Sequence, residues 1–578
     1  MLVAALALLF FSEPGLADPK NSAAVPATEF GVEGPMPRAG MNPGELPVFM
    51  DAVSHLGASF MVASFTPEWN TPLAQKRGNY IGTEGTESTF REFAALCRQR
   101  QLSFFINQQI TSYCMPGDFP DKSGHDILAH GDGTHRWDIA GPLLEELSRM
   151  PEFRGVVYDE AEWGILRRDH NSNAGTGHAS SGRIHPYFAV TENLNVFDAQ
   201  EATLRGARQV ATAYHKAGVR MMGEHVFPVM FHTFARAGMD CSTKFMKEGR
   251  DSVFAAVAMG AALQYDRDFC VSPDLWGIPA FGVSKNGFPG HPPEELRCSL
   301  LFAYWLGASR VLVENIYADF LGEAATGLLD RKVTDGRAGY IPSAYGKIYE
   351  WFVKEYVPAH PRPYTFRDCR PEMAIVRFDD SYWGQPGGYF RPNLYGGTDL
   401  AGPESVAWLG IWHLLTHGQT SKLGLSYHNR GWPDPRNHSF FTALNNVVVY
   451  DDQVSEARLA GLKVVFLTGL RVSRETQSAI AKLVRDEGLI CISQRSLAPA
   501  DVASAGDNGP IICGKGKWLL TGNFDTPAVA ALTGPWLGAP DEIRYRFREF
   551  ILSVKRGVAD NHVTIFLQKD AQAPVQVW

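Results

Sequence analysis

The sequence predicts a two-part α/β protein, a (β/α)8 TIM barrel followed by a flavodoxin-like (glutamine-amidotransferase-like) α/β domain. Three observations predict it. Short β-rich runs alternate with helical stretches over residues 28–358, which argues for parallel strands joined by right-handed crossovers. A Pro-rich segment, VPAHPRPY at 357–364, then marks a boundary. Beyond it, over residues 365–578, a second strand–helix–strand pattern begins. A chain of 578 residues is too long for one core, while a barrel of this kind takes roughly 250 residues or more.

The elements follow in chain order. Residues 1–17 read as a secretory leader, because the apolar run 2–11 is too short to span a bilayer and Gly15, Leu16 and Ala17 offer a cleavage point. No Lys or Arg precedes that run. The expected location is therefore secreted or periplasmic. Barrel strands are expected at 29–32, 59–65, 103–107, 155–159, 220–224, 269–274 and 310–314, with a weakly marked one at 237–241. Helices are expected at 198–217, 293–306 and 344–356. In the second domain, 373–378 and 463–467 read as strands. Ser473 caps the next helix, Ile480, Leu483 and Val484 form its inner stripe, Gly488 stops it, and 489–493 is the next strand. Residues 544–568 read as strands packing back on this unit.

Composition narrows the function. Apolar content of 45% with 20% charged residues is ordinary for a globular chain. The net charge is −8 and there is no dense Lys/Arg run, so neither nucleic acid nor an anionic membrane has an electrostatic footprint. A neutral substrate fits. The eight cysteines show no CxxC and no His partners at zinc spacing, so neither metal nor cofactor is implied. They read as buried apolar residues, with one or two bridges open to them in an exported chain. The second domain carries no GxGxxG, P-loop or nucleophile elbow, and is read as structural or assembly-forming, a surface for a homo-oligomer.

Chemistry is expected at the C-terminal strand ends, where barrel loops form the cleft. Those ends are acidic. Asp159, Glu160, Glu162 and Trp163 follow one strand, Glu224 and His225 another, Asp274 and Trp276 a third, and Glu314, Asn315 and Tyr317 a fourth. A single acid in such a place reads as a loop cap or ion-pair partner, but several ends in one barrel point to a site, because buried charge is a poor packing choice. Glycoside hydrolysis needs two carboxyl groups, one to protonate the leaving oxygen and one to attack the sugar or activate water. The catalytic candidates are Glu160, Glu162, Asp274 and Glu314. Asn107, Gln109, Asp159, Glu224 and His225 are candidates for binding hydroxyls, and Trp163, Trp276 and Tyr317 for stacking on sugar rings.

The layout resembles the clan A glycoside hydrolases, and in architecture the family 42 β-galactosidases, where a barrel precedes a flavodoxin-like trimerisation domain. That family's acid/base lies in an Asn-Glu-Tyr-Gly-like segment after the fourth strand. Ala161-Glu162-Trp163-Gly164 is similar to it, and Asp159-Glu160 is similar to its Asn-Glu step. The resemblance thus implies Glu160 or Glu162 as acid/base. The clan's nucleophile is a Glu ending the seventh strand, which by strand count implies Asp274 and by residue type favours Glu314. A secreted, retaining glycosidase acting on a poly- or oligosaccharide is the expectation. A carbohydrate-binding barrel without turnover is the alternative, and a lyase using Tyr158 or His225 as base a weaker one.

Overall fold

The computed structural model describes residues 27–35, 45–64, 87–107, 128–129, 135–136, 141–166, 188–247, 249–275, 292–316, 327–385, 392–426, 441–505, 509–557 and 563–578. The expected leader and the candidates Gln109, Trp276 and Tyr317 lie outside these residues, and Trp163 lies inside a helix with its side chain outside the description.

Eight parallel strands close into a barrel. They are β1 (Glu29–Pro35), β2 (Phe60–Ser64), β3 (Ser103–Asn107), β4 (Phe153–Asp159), β5 (Arg220–His225), β6 (Asp240–Phe245), β7 (Phe269–Pro273) and β8 (Arg310–Glu314). Neighbours in the chain are neighbours in the ring, and β8 returns to β1 with Glu33 opposite Glu314. Helices α1 (Glu45–His55), α2 (Glu87–Gln99), α3 (Gly141–Ser148), α4 (Ala161–Leu166), α5 (Val196–Lys216), α6 (Phe231–Ala237), α7 (Asp251–Tyr265) and α8 (Pro293–Trp305) lie between the strands. Local chemistry sets their ends. Asn195, for example, caps α5 by accepting from the amides of Phe197 and Asp198.

The weakly marked strand is displaced from its expected place. Residues 231–237 are helix, and β6 begins at Asp240. Its sequence, DCSTKF, has few apolar residues, so hydrophobic patterning did not reveal its extent. It is nonetheless buried throughout, between β5 and β7.

Side chains alternate along a strand, so every second residue faces the lumen. One lumen layer is apolar and comprises Phe60, Val62, Phe105, Val157, Met222, Cys270 and Leu312. Gly31 makes room for it, because a Cβ there would sit 2.2 Å from the Phe60 ring. Two residues further along β3, β4, β5 and β8 come Asn107, Asp159, Glu224 and Glu314. Alternation therefore stacks a polar layer on the apolar one, at the C-terminal mouth.

After a hairpin, β9 (Leu329–Thr334) with β10 (Arg337–Pro342), helix α9 (Ala344–Trp351) runs on as a π-helical turn over Phe352–Tyr356. The second domain holds β11 (Met373–Arg377), α10 (Pro403–Leu415), β12 (Leu444–Asn445), β13 (Val447–Asp451), β14 (Val464–Thr468), α11 (Arg474–Glu487), β15 (Ile490–Ser493), β16 (Ile511–Cys513) and β17 (Gly516–Leu520). Its sheet order is β13-β11-β14-β15-β17-β16, parallel except for the edge strand β16. Numbered in chain order, the parallel strands run 2-1-3-4-5, the doubly wound order of flavodoxin-like sheets. Ser473 caps α11 and Gly488 ends it in the left-handed region, with Ile480, Leu483 and Val484 buried, as the sequence implied.

The C-terminal strands β18 (Glu542–Phe547), β19 (Phe550–Arg556), β20 (Val563–Lys569) and β21 (Val575–Gln576) form a sheet of their own, joined through β12. Barrel and second domain touch through α7, whose stretch from Val253 to Leu263 is apolar and buried on every side. Gln264 donates to Asp451 at 2.5 Å, and Ser252 to the Thr442 carbonyl at 2.8 Å.

The described cysteines carry no disulfide, and all are buried except Cys513, which is half-buried. Among the described residues no helix is long and apolar enough to cross a membrane.

Candidate active site

The mouth of the barrel is organised around a lysine that sequence reasoning missed. Lys244, near the end of β6, is fully buried, and its Nζ lies 3.2 Å from Asp159, 3.0 Å from Glu160, 3.4 Å from Glu224 and 2.6 Å from Glu314. Asp274 is 3.9 Å away. Lys247, one turn of chain later, sits 2.6 Å from Glu160 and 2.9 Å from Asp274. Asn107 donates to Glu33 at 2.5 Å and to Asp159 at 3.2 Å, and Ser242 donates to Glu224 at 3.3 Å. Carboxylates from β1, β4, β5, β7 and β8 thus face two ammonium groups, both carried by β6 and the loop after it.

Backbone geometry places two consecutive acids in one site. Asp159 points inward by strand alternation, which would send Glu160 outward. Glu160 instead adopts φ 52°, in the left-handed region, and its amide donates to the Glu224 carbonyl at 2.8 Å. That turn brings both side chains to Lys244. Such a conformation costs on the order of 1–3 kcal/mol and persists only where the surroundings hold it. Met246 (φ 63°) and Asn315 (φ 75°) show the same feature after β6 and β8. Met246 is held by Asp251, the first residue of α7, whose two oxygens accept from its amide at 3.1 and 3.2 Å.

The electrostatics are dominated by burial. It pushes the Asp159, Glu224 and Glu314 carboxyls each up to about 8, with Lys244 acting in the opposite direction and neighbouring acids adding to the rise. Glu33 is raised well above the usual range by the same burial and by Glu224, Glu314 and Asp159. Lys244 goes up, because the surrounding carboxylates outweigh its own desolvation. Protons are therefore shared among the acids near neutral pH. Only two of them retain notable contact with solvent. The Glu314 side chain is 15% exposed and that of Glu160 8%, against 0–1% for Asp159, Glu224 and Asp274.

The sequence-derived candidates sort accordingly. Asn107, Asp159, Glu160, Glu224, Asp274 and Glu314 come together. The strand count is also clear, with Asp274 following β7 and Glu314 ending β8. Glu162 is spent elsewhere. On α4 and fully buried, it takes His225 Nδ1 at 2.8 Å and the Val226 amide at 2.5 Å. His225, next to inward-facing Glu224, lies against Phe231 and Phe234 of α6 and so belongs to the layer outside the strands. Glu33, Lys244 and Lys247 were not anticipated. Glu33 could have been found by noting that the first strand also ends in an acid. Lys244 could not be found while its strand was drawn to stop at residue 241.

Three of the acids, Glu33, Asp159 and Glu224, each offer an oxygen within 4.8 Å of the others, a spacing that could hold a metal ion. The Lys244 ammonium already lies at two of the three.

No protein-family model matches the chain, and no curated protein does. Solved structures do match. A β-galactosidase from the Antarctic haloarchaeon Halorubrum lacusprofundi aligns over 91% of this chain and 93% of its own, with a TM-score of 0.53 and 10% identity. The two share a fold. Gan42B, a GH42 β-galactosidase, aligns over 94% of each chain at TM-score 0.49 and 9% identity. α-L-Fucosidase isoenzyme 2 from Paenibacillus thiaminolyticus aligns over 95% of this chain and 91% of its own, at TM-score 0.46 and 10% identity. What the first match establishes is architectural, a (β/α)8 barrel with a second α/β domain in one chain.

Proposed function

We propose that the protein is a glycoside hydrolase whose catalytic carboxylates are Glu160 and Glu314. The observation that carries this reading is the shared contact of these two side chains with Lys244. With contacts of 3.0 and 2.6 Å to one nitrogen, their oxygens are at most 5.6 Å apart, the sum of the two. That suits a retaining pair, whose carboxyl groups stand about 5–5.5 Å apart, better than an inverting pair at about 6.5–9.5 Å. The solved β-galactosidase of the same fold supports the reaction class.

The charge environment allots the roles. Glu314, pushed up to about 8, holds a proton at neutral pH, and its Oε2 accepts from Lys244, leaving Oε1 to present that proton to a leaving oxygen. Glu160 Oε1 accepts from both Lys244 and Lys247, which favours its anion as the nucleophile. This reverses the allotment implied by the family resemblance. Asp274 has the position of the clan's nucleophile by strand count, but it is fully buried and holds Lys247, so it supports the floor. Asn107 orients Glu33 and Asp159 there.

Export to the periplasm or medium is part of the same reading, and the second domain is assigned a structural or assembly role. The test is incubation of the purified protein with a panel of plant, algal and microbial oligo- and polysaccharides. Release of new reducing ends with the substrate's anomeric configuration, read by proton NMR, is expected. Sugar-dependent thermal stabilisation without product would overturn hydrolysis in favour of a binding protein. Products absorbing in the ultraviolet would mark a lyase.

A further inference from the structure

We propose that Lys244 is a positioning residue, a tethered cation that stands where a barrel of this acidity would otherwise need a bound ion and that sets how protons divide between Glu160 and Glu314. Its kinetic consequence rests on the assignment of those two as the catalytic pair, while its electrostatic consequence does not.

Around Lys244 the described residues present Glu33 from β1, Asp159 and Glu160 from β4, Glu224 from β5, Asp274 after β7 and Glu314 from β8. Asn107 from β3 is neutral, and Lys247 is the one other cation of the cluster among those residues. Carboxylates in this number cannot all ionise side by side in a dry site. Ordinarily a metal ion would resolve the conflict, and Glu33, Asp159 and Glu224 have the spacing for one. Lys244 Nζ lies 3.2 Å from Asp159 and 3.4 Å from Glu224, in that position.

The ammonium is anchored from below. Lys244 shares the inward face of β6 with Ser242, two residues before it, so its stem rises along the lumen, and its side chain is closed to solvent. A mobile ion would equilibrate with the medium, whereas a tethered one cannot leave. It touches both substrate-facing carboxylates at once, so the ionisation of each is felt by the other through a single charge. A side chain kept only for packing would not need a charged end in a site where a buried ion is costly.

The proposal is tested with Lys244→Met and Lys244→Arg, by thermal unfolding from pH 5 to pH 9 and by pH–rate profiles. Below about pH 5 Asp159, Glu224 and Glu314, each raised to about 8, are largely protonated and lose little when the ammonium is removed. The gap in melting temperature between wild type and Lys244→Met is therefore expected to widen by several degrees as pH rises. Lys244→Arg is expected to track the wild type. A gap of the same size at every pH would mean a packing role and would overturn the proposal. Should Lys244→Met fail to fold, the double variant Lys244→Met/Glu224→Gln decides the matter. Its folding is expected, since one ionisable acid is removed with the cation, and its failure to fold would again mean packing.

In the kinetic arm, Lys244→Met is expected to lose about 100-fold or more in kcat with KM nearly unchanged, and both limbs of the pH profile are expected to move up by about a unit. Unmoved limbs would overturn control of the proton. If the wild type cleaves nothing on the panel, the glycosidase reading fails, and the unfolding series still decides the role of Lys244.

Discussion

At the scale of single residues, the chemistry of the mouth turns on where protons sit. Asp159, Glu224 and Glu314 are each raised to about 8 in the folded protein by burial, against ordinary values near 4 in an unfolded chain. A raised carboxyl binds its proton more tightly when folded. Its contribution to stability is complete below about pH 4 and is lost as pH rises through about 8. Glu224→Gln, which cannot ionise, should therefore gain on the wild type as pH rises from 5 to 9 in paired thermal melts. A difference that moved the other way would mean that Lys244 holds Glu224 ionised throughout. The same sign applies to turnover. If Glu314 supplies the proton, kcat/KM should fall as pH passes about 8, and Glu314→Gln should remove that alkaline limb along with most of the rate.

At the scale of elements, strand ends were legible because β-rich runs stopping at an acid break the usual rule for buried residues. Those of β4, β5, β7 and β8 were read this way, and β3 through Asn107. β6 was not, since its alternating small and polar residues resemble a loop, and only its burial between β5 and β7 identifies it. With β6 went Lys244, the residue that organises the rest. The neighbours of Glu162 were equally beyond reach, because its pairing with His225 joins α4 to β5 across the fold. In contrast, α11 was readable in full, since its cap, inner stripe and terminal glycine are local. One element carries a sharp packing test. Gly260 of α7 faces β13 so closely that a Cβ would sit 1.9 Å from the Val449 carbonyl oxygen. Gly260→Ala must push the helix off the second domain, and should cost about 1–3 kcal/mol, the usual cost of overpacking. Thermal unfolding checks it, and an unchanged melting temperature would show that the seam between the domains yields freely.

At the scale of the whole molecule, a mostly apolar barrel lumen supports a charged mouth, and a second α/β unit is fastened beside it through α7. His232 Nε2 donates to the Val449 carbonyl at 2.9 Å, so even this buried ring serves the seam. Trp578 packs tilted against Trp351 at the end of α9, with ring centroids 5.3 Å apart, bringing this segment back to the barrel. This continuity makes the doubly wound sheet, which carries no visible chemistry, a body that braces the barrel. The central claim remains the pair at the mouth. It is tested most directly by the hydrolysis rates of Glu160→Gln and Glu314→Gln on whichever glycan the wild type cleaves, with folding checked by circular dichroism. Each folded variant should lose about 100-fold to 10,000-fold in kcat, whereas wild-type rates in either one would contradict the account.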